Sequence, residues 1–169
     1  MHTSLDFFKQ NNIHIDWGTL YVGYKLHLLK EEDISDYAVE FITHSETDDT
    51  NIIQLAMHRS NIDFENLLKE LSDLNSIACQ FEVRKWRLNV LSLLKKAYQD
   101  DREELLGKIS EAYANFNYPE DMDYFINYLT ALDGYNPSEY SKDENITRLI
   151  IFFNEFLLRE QRYIVSGKH

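Results

Sequence analysis

Apolar residues recur along most of the chain at intervals of three and four positions, which places them on one face of an α-helix. One such stripe runs through Trp17, Leu20, Tyr21 and Tyr24, and Asp16 in front of it is a candidate N-cap. No stretch shows the sustained alternation of polar and apolar residues that a half-buried strand requires. The pattern predicts an all-α protein of eight or nine helices, packed as a compact bundle or a short helical-hairpin superhelix.

Similar stripes predict the other helices of the N-terminal half. A short first helix is expected after Ser4, and Asp63 is expected to begin a later one. The apolar stripes are Leu5 and Phe8; Ile34, Tyr37, Ala38, Phe41 and Ile42; Ile52, Ile53, Leu55 and Ala56; and Phe64, Leu67, Leu68, Leu71 and Leu74.

The segment Ser76–Tyr98 is apolar over most of a helical circumference. Its clean polar line contains only Lys85, Asn89, Ser92 and Lys96. A helix of this kind is usually central and buried, so we expect it to be the structural spine.

Two capping boxes predict helix starts in the C-terminal half: Asp101 with Glu104, and Ser141 with Glu144. Between these helices, Tyr118–Pro119 is expected to begin another helix, since proline is favoured in a first turn, and Gly134 is expected to end it. The residues of that helix expected to face inward are Met122, Phe125, Ile126, Leu129 and Leu132.

Composition supports this fold and bounds the domain organisation. Five glycines and two prolines are too few for a turn-rich β domain. A length of 169 residues without a Pro-, Gly- or Ser-rich linker predicts a single domain over 1–169. No secretory signal and no long apolar run is visible, so a soluble, cytoplasmic protein is the expectation.

The chain carries a formal net charge of -12, and the charge is unevenly distributed. Residues 100–123 hold eight acidic and two basic side chains, and residues 30–49 hold eight acidic and one basic. Residues 83–96, by contrast, are basic, and they either pair with acidic neighbours inside the protein or leave an acidic surface for a basic partner. Such a balance disfavours nucleic acid and anionic membranes as partners.

No arrangement of side chains predicts a cofactor, a metal or a catalytic residue. Asp36, Glu40 and His44 share one helix face, but ligands strung along a single helix do not close a coordination sphere. The isolated residues His14, His27 and His58 would serve as acids or bases only beside a carboxylate. Trp17 and Trp86 fit a core better than a ligand pocket, and the single cysteine, Cys79, fits a small core residue.

Tyrosines are dense between Tyr118 and Tyr140, and one helix cannot turn all of them inward. Exposed tyrosine is typical of protein interfaces. The residues predicted to bind a partner are Asp100, Asp101, Glu103, Glu104, Tyr118, Glu120, Asp121, Asp123 and Tyr124.

Two stretches resemble known families. Tyr113–Met122 (Y-A-x-F-x-Y-P-x-x-M) is similar to a pattern in small acidic bacterial proteins, some of which are immunity proteins for toxins. The run IDWGTLY at 15–21, followed by DIxxYA at 33–38, resembles a bacterial all-helical family of unknown function. The first resemblance implies a non-enzymatic protein that neutralises a basic partner such as a toxin domain. The alternatives are a small hydrolase or ligand-binding enzyme and an oligomerisation module, and the choice between monomer and homodimer is open.

Overall fold

A computed structural model describes residues 5–58 and 61–167, without the side chain of Ile77. In these residues every regular element is helical, which confirms the all-α prediction. Eight α-helices and two 3₁₀ segments are present: α1 (Asp6–Gln10), α2 (Trp17–Lys25), α3 (Glu31–His44), α4 (Thr50–Met57), α5 (Phe64–Ser72), α6 (Ser76–Ala97), α7 (Arg102–Asn115), the 3₁₀ segments Glu120–Phe125 and Pro137–Glu139, and α8 (Lys142–Val165). Ser4, predicted to precede the first helix, lies outside the described residues.

The chain divides into two compact units, of which the first runs to Trp86 and takes in Gly167 and the second is Arg87–Ser166. Helix α6 contributes its first half to one unit and its second half to the other. The single-domain expectation stays a prediction.

Helix starts in the first unit follow the predicted caps. The Asp16 carboxylate accepts a 2.8 Å hydrogen bond from the Thr19 backbone N–H, and the Thr19 hydroxyl accepts one from the Asp16 N–H. Asp63 caps α5 in the same manner by accepting from the Asn66 N–H at 3.0 Å. Each cap satisfies a backbone donor that the first helical turn would otherwise leave without a partner.

The centre of the first unit is Trp86, whose side chain is fully buried. Its indole N–H donates a 2.8 Å hydrogen bond to the Thr19 carbonyl, and the Phe8 ring meets it edge-on at 4.8 Å. Gly23 packs against the indole without a side chain of its own. Of the predicted stripe on α2, only Leu20 is therefore deeply buried. The other buried residues of α2 are small, so the indole can approach the helix closely.

The polar line predicted on α6 does not mark its exposed side. Lys85 is 2% exposed and Asn89 is fully buried. The Lys85 ammonium donates to the Thr19 hydroxyl at 2.7 Å and pairs with the Glu82 carboxylate at 2.8 Å. Burial raises the pKa of Glu82, while the Lys85 ammonium acts in the opposite direction. A buried charge is tolerated in this way only when it is paired and hydrogen-bonded.

Helix starts in the second unit also follow the sequence. Ser141 and Glu144 form the predicted reciprocal capping box at the start of α8. Asp101 accepts from the Glu104 N–H at 2.9 Å at the start of α7. Helix α8 packs against α7 and against the first 3₁₀ segment.

The α-helix predicted after Pro119 is wrong. Only Glu120–Phe125 is helical, as a 3₁₀ segment, and Ile126 is already extended. Met122, Phe125 and Ile126 are buried as expected, but Leu129 and Leu132 are 37% and 62% exposed. This stretch is rich in aromatic residues and in Asp and Asn, whose helix propensity is low, so packing against α8 decides its conformation.

Candidate protein-interaction surface

The predicted partner-binding residues fall into two groups that α7 separates. Asp100, Asp101, Glu103 and Glu104 lie at its start, and we call them the helix-start group. Tyr118, Glu120, Asp121, Asp123 and Tyr124 follow its end, and we call them the tyrosine group. Asp123 contacts Tyr113, which lies about 18 Å along the helix axis from Asp101 at a rise of 1.5 Å per residue. The structure therefore does not bring the two groups together.

Local structure accounts for much of the helix-start group. Asp101 is the N-cap of α7, and acidic residues in a first turn interact favourably with the helix dipole. Glu103 forms a 2.7 Å ion pair with Lys142, and Glu104 lies 3.8 Å from Lys108. These side chains are exposed, so a partner would compete with contacts that stabilise the chain only weakly.

The tyrosine group begins at the end of α7, which closes with a Schellman motif. The Tyr118 N–H donates to the Tyr113 carbonyl at 2.9 Å, and the Asn117 N–H donates to the Ala114 carbonyl at 3.0 Å. The Tyr118 and Tyr113 rings meet edge-on at 5.3 Å, which is the side-chain contact expected of this motif. Tyr118 itself has a φ of 57°, a left-handed conformation that is strained for a bulky residue.

Tyr113 also holds the carboxylate of Asp123. Its hydroxyl donates a 2.7 Å hydrogen bond to Asp123 Oδ1, and this bond, with lesser contributions from burial and from the carboxylate charge, raises the pKa of Tyr113 to about 12. The exposed ring of Tyr128 lies 6.5 Å from Tyr113 on the same surface. Tyr128 belongs to the dense tyrosine run but was not among the predicted partner-binding residues.

Asp121 is held from the interior by Arg87. The buried guanidinium donates to both carboxylate oxygens of Asp121, at 2.8 and 2.6 Å, and to the buried Glu160 at 3.2 Å. The same guanidinium lies 5.2 Å from the centre of the Phe156 ring. A bidentate pair of this kind fixes the carboxylate in one orientation. Part of the basic stretch of α6 is thus paired inside the protein.

An open groove of about 270 Å³ adjoins Asp121 and Tyr124. Its other lining residues come from the end of the 3₁₀ segment and from α8: Phe125, Phe152, Glu155, Phe156 and Arg159. The Arg159 guanidinium lies 5.4 Å from the Phe156 ring centre, and the Arg148 guanidinium lies 4.7 Å from that of Phe152. Sequence reasoning missed the α8 residues of this groove. The available signal was the spacing of Glu155 and Arg159, which are one helical turn apart beside two phenylalanines with the same spacing.

A second concavity of about 440 Å³ lies between α7 and α8. Leu106, Ile146 and Leu149 line it with apolar surface, and Glu103 and Lys142 are on its rim. No aromatic ring lines this concavity, so it offers apolar contact without a surface on which a planar cation stacks.

The other candidate side chains have structural roles. Glu40 pairs with Lys9 at 2.7 Å, and the His44 ring lies 2.7 Å from the Glu40 carbonyl, so neither is oriented toward a shared ion with Asp36. Among the described residues there is no group of three side chains that would hold a metal ion.

His58 lies beside a serine, but the hydrogen bond between them runs in the wrong direction to activate the serine as a nucleophile. The Ser35 hydroxyl donates to the Leu55 carbonyl at 2.8 Å, so its single proton is used there. His58 Nδ1, 3.0 Å from the Ser35 oxygen, must then donate to it. A general base would have to accept that proton instead.

Most of the chain matches a known bacterial family. A family model described as "Uncharacterized protein conserved in bacteria (DUF2247)" matches residues 5–161. The chain belongs to this family, which confirms the resemblance to a bacterial family of unknown function. No curated protein and no solved structure matches the chain.

In the part of the chain that is described, no helix has both the length and the apolar character needed to cross a membrane.

Proposed function

We propose that the chain is a non-enzymatic, immunity-like binding protein that neutralises a basic protein partner such as a toxin domain. The observation that carries the proposal is the tyrosine group, in which exposed tyrosines are close in sequence to carboxylates that the protein already holds in place. Asp121 is fixed by Arg87, and Asp123 is fixed by Tyr113. The resemblance of 113–122 to immunity proteins covers part of the same surface.

Exposed aromatic area supports this proposal. Tyr118, Tyr124 and Tyr128 are 58%, 52% and 60% exposed, which is a large aromatic surface for one short segment. Tyrosine supplies contact area and a hydrogen-bonding tip at low entropic cost and is enriched among residues that dominate binding energy. A surface of this kind beside acidic residues suits a basic protein better than a small molecule.

Preorganisation is the second support. Binding loses free energy whenever side chains must be ordered at the interface, at about 0.5–1.5 kcal/mol for each flexible side chain. Asp121 and Asp123 are ordered before any partner arrives. Their hydrogen bonds to Arg87 and Tyr113 therefore reduce this loss.

The net charge of -12 supports the choice of a basic partner. The negative charge accelerates association with a basic protein and slows the approach of acidic molecules. Salt weakens both effects. A toxin domain that holds nucleic acid presents such a basic surface. Its neutralisation inside the producing cell would take place in the cytoplasm.

Calorimetry with toxin domains encoded by genes next to that of this chain tests the proposal. We expect binding at micromolar protein concentration or tighter, weakened as salt is raised. Tyr124→Ala should reduce affinity about tenfold, the effect of losing one important interface side chain. Tyr140→Ala, at an exposed tyrosine outside the tyrosine group, is the matched control and should change little.

Charge variants locate the surface more finely. Glu120→Gln should weaken binding, whereas Glu103→Gln in the helix-start group should not if the tyrosine group carries recognition. If no toxin domain from the neighbouring genes binds at micromolar concentrations, the proposal fails. Equal losses from Tyr124→Ala and Tyr140→Ala would overturn the assignment of the surface.

One observation favours a second candidate, an oligomerisation module. Ile151, Leu158 and Val165 follow one another at seven-residue intervals on α8 and are each about half exposed. A line of aliphatic side chains at this spacing is the pattern of a helix that pairs with another helix. Light scattering that gives a monomer mass over a range of protein concentrations would remove this candidate.

A further inference from the structure

We infer that the groove beside Tyr124 binds the side chain of an arginine supplied by the protein partner. This inference rests on the proposed function and names the chemical group that the partner brings. The groove consists of aromatic walls, Tyr124, Phe152 and Phe156, with carboxylates at its rim, Asp121 and Glu155.

The size of the groove fits a side chain. A volume of about 270 Å³ is below the range of roughly 300–1,000 Å³ that small-molecule sites occupy. The groove is also open to solvent on one side, so a side chain enters it without any movement of the backbone. A cofactor or a drug-sized ligand would extend well beyond these walls.

The aromatic rings of the groove already stack with guanidinium groups. Phe156 has Arg87 at 5.2 Å and Arg159 at 5.4 Å, and Phe152 has Arg148 at 4.7 Å. All three distances lie within the roughly 6 Å over which a cation is attracted to an aromatic face. Of the three arginines, only Arg159 lines the groove, and Arg87 and Arg148 are not part of its lining. Within the groove, an arginine side chain of the protein itself therefore already lies against an aromatic ring.

The carboxylates favour arginine over an uncharged side chain. Arg87 fixes Asp121 bidentately, yet the Asp121 side chain stays 41% exposed. Glu155 is exposed on α8 at the opposite rim. A planar guanidinium can stack on a ring and donate to a carboxylate in the plane of its own atoms, which a lysine ammonium cannot do.

Arg159 is the internal competitor for this position. It is exposed, lines the groove and lies against the buried Phe156 ring, where it holds the position that an incoming guanidinium would take. Its charge repels a second cation, and its side chain covers part of the ring. Removing Arg159 should therefore strengthen binding of an arginine, although most deletions at a binding surface weaken it.

The experiment titrates the full chain with N-acetyl-arginine amide as the probe. Binding is measured by the NMR chemical-shift changes of the Tyr124 and Phe152 ring signals. We expect saturable shifts at millimolar probe concentrations. Glu155→Gln should weaken binding roughly two- to fivefold, as for an exposed ion pair, and Arg159→Ser should strengthen it by a similar factor. Both residues are exposed, so neither substitution is expected to unfold the protein.

Control probes separate the chemistry. N-acetyl-lysine amide should bind more weakly than the arginine probe, and N-acetyl-leucine amide more weakly still. Equal shifts from all three probes, or ring signals that do not respond to arginine, would overturn the inference.

The toxin-domain titration distinguishes this inference from the proposed function. If a toxin domain binds but Glu155→Gln and Arg159→Ser leave its affinity unchanged, the groove is not the receptor and the general function stands. If the arginine probe binds with the expected pattern but no toxin domain does, the groove stands and the proposed function fails.

Discussion

Gly23 and Trp86 are packed so closely that a β-carbon at position 23 would lie 2.3 Å from the indole ring. The indole is fully buried and hydrogen-bonded to Thr19, so it has no room to move aside. The absence of a side chain at Gly23 is thus a condition for the way the first unit packs.

Gly23→Ala should therefore destabilise the protein by about 1–3 kcal/mol, the usual result of overpacking, even though alanine is the better helix former. Gly107→Ala is the matched control because no atom lies within 4 Å of a β-carbon there. It should stabilise α7 by about 0.5–1 kcal/mol. Urea unfolding of the two variants measures both effects, and equal stabilities would contradict the packing argument.

Tyr113 makes the free energy of unfolding depend on pH in the alkaline range. Its pKa is raised from 10.0 to about 12 in the folded protein, mainly by the hydrogen bond to Asp123. The stabilisation is fully present below pH 10, where the phenol is neutral in both states, and it is lost as the pH rises toward 12. The stability difference between wild type and Tyr113→Phe should be constant below pH 10 and then shrink.

The comparison with Tyr113→Phe removes the contributions of the other tyrosines and of lysine, which titrate in both proteins. Chemical unfolding at several pH values between about 8 and 12 makes the measurement, because this range begins below the ordinary pKa and ends at the raised one. A difference that stays constant over the whole range would show that the hydrogen bond does not control the ionisation of Tyr113.

Arg87 should be the most sensitive charged residue of the second unit. Arg87→Met removes the guanidinium that faces the buried carboxylate of Glu160, and breaking a buried ion pair in this way costs about 3–5 kcal/mol. Arg102→Met is the control, since the Arg102–Asp143 pair is exposed and should contribute at most about 1 kcal/mol. The double variant Arg87→Met/Glu160→Gln should recover part of the lost stability, and a double variant no more stable than the single one would argue against this assignment.

Alanine variants of Asp100 and Asp101 should show which acidic residue of the helix-start group stabilises the fold and which contributes only charge. Asp101→Ala removes the N-cap of α7 and should cost about 1 kcal/mol, whereas Asp100→Ala removes the same charge from an exposed position and should change stability little. Thermal unfolding of both variants checks the difference. Equal effects would mean that the cap contributes nothing beyond its charge.

Local rules predicted most of the helices because the chemistry of a cap lies within four residues. Asp16, Asp63, Asp101 and Ser141 all cap the helices that follow them. The conformation of the segment after Pro119 depends on tertiary packing and not on local sequence. Its inward-facing residues were identified as far as Ile126, but the packing of Phe125 against Phe153 and Phe156 joins parts of the chain that the sequence does not show to be neighbours.

The candidate surface could be predicted only in part for the same reason. The density of acidic and tyrosine residues identified Asp121 and Tyr124, which do lie together at the groove. The spacing of Glu155 and Arg159 indicates only that they share a helix face, and it does not place them beside Asp121 and Tyr124, because α8 is distant in the chain. Lys85 is a case in which the sequence pattern misleads, because a lysine among polar residues on a helix is ordinarily exposed. Its burial is favourable only because it pairs with Glu82 and Thr19.

Under the proposed function, the left-handed backbone of Tyr118 makes heat resistance and recognition compete at one position. Its φ of 57° would suit asparagine or glycine better than a residue with a large ring that is 58% exposed. Laboratory evolution for thermal tolerance without a partner should therefore replace this tyrosine, whereas evolution in a cell exposed to a toxin that the chain neutralises should retain it. The residue that enters each population would report directly on whether the ring is kept for folding or for binding.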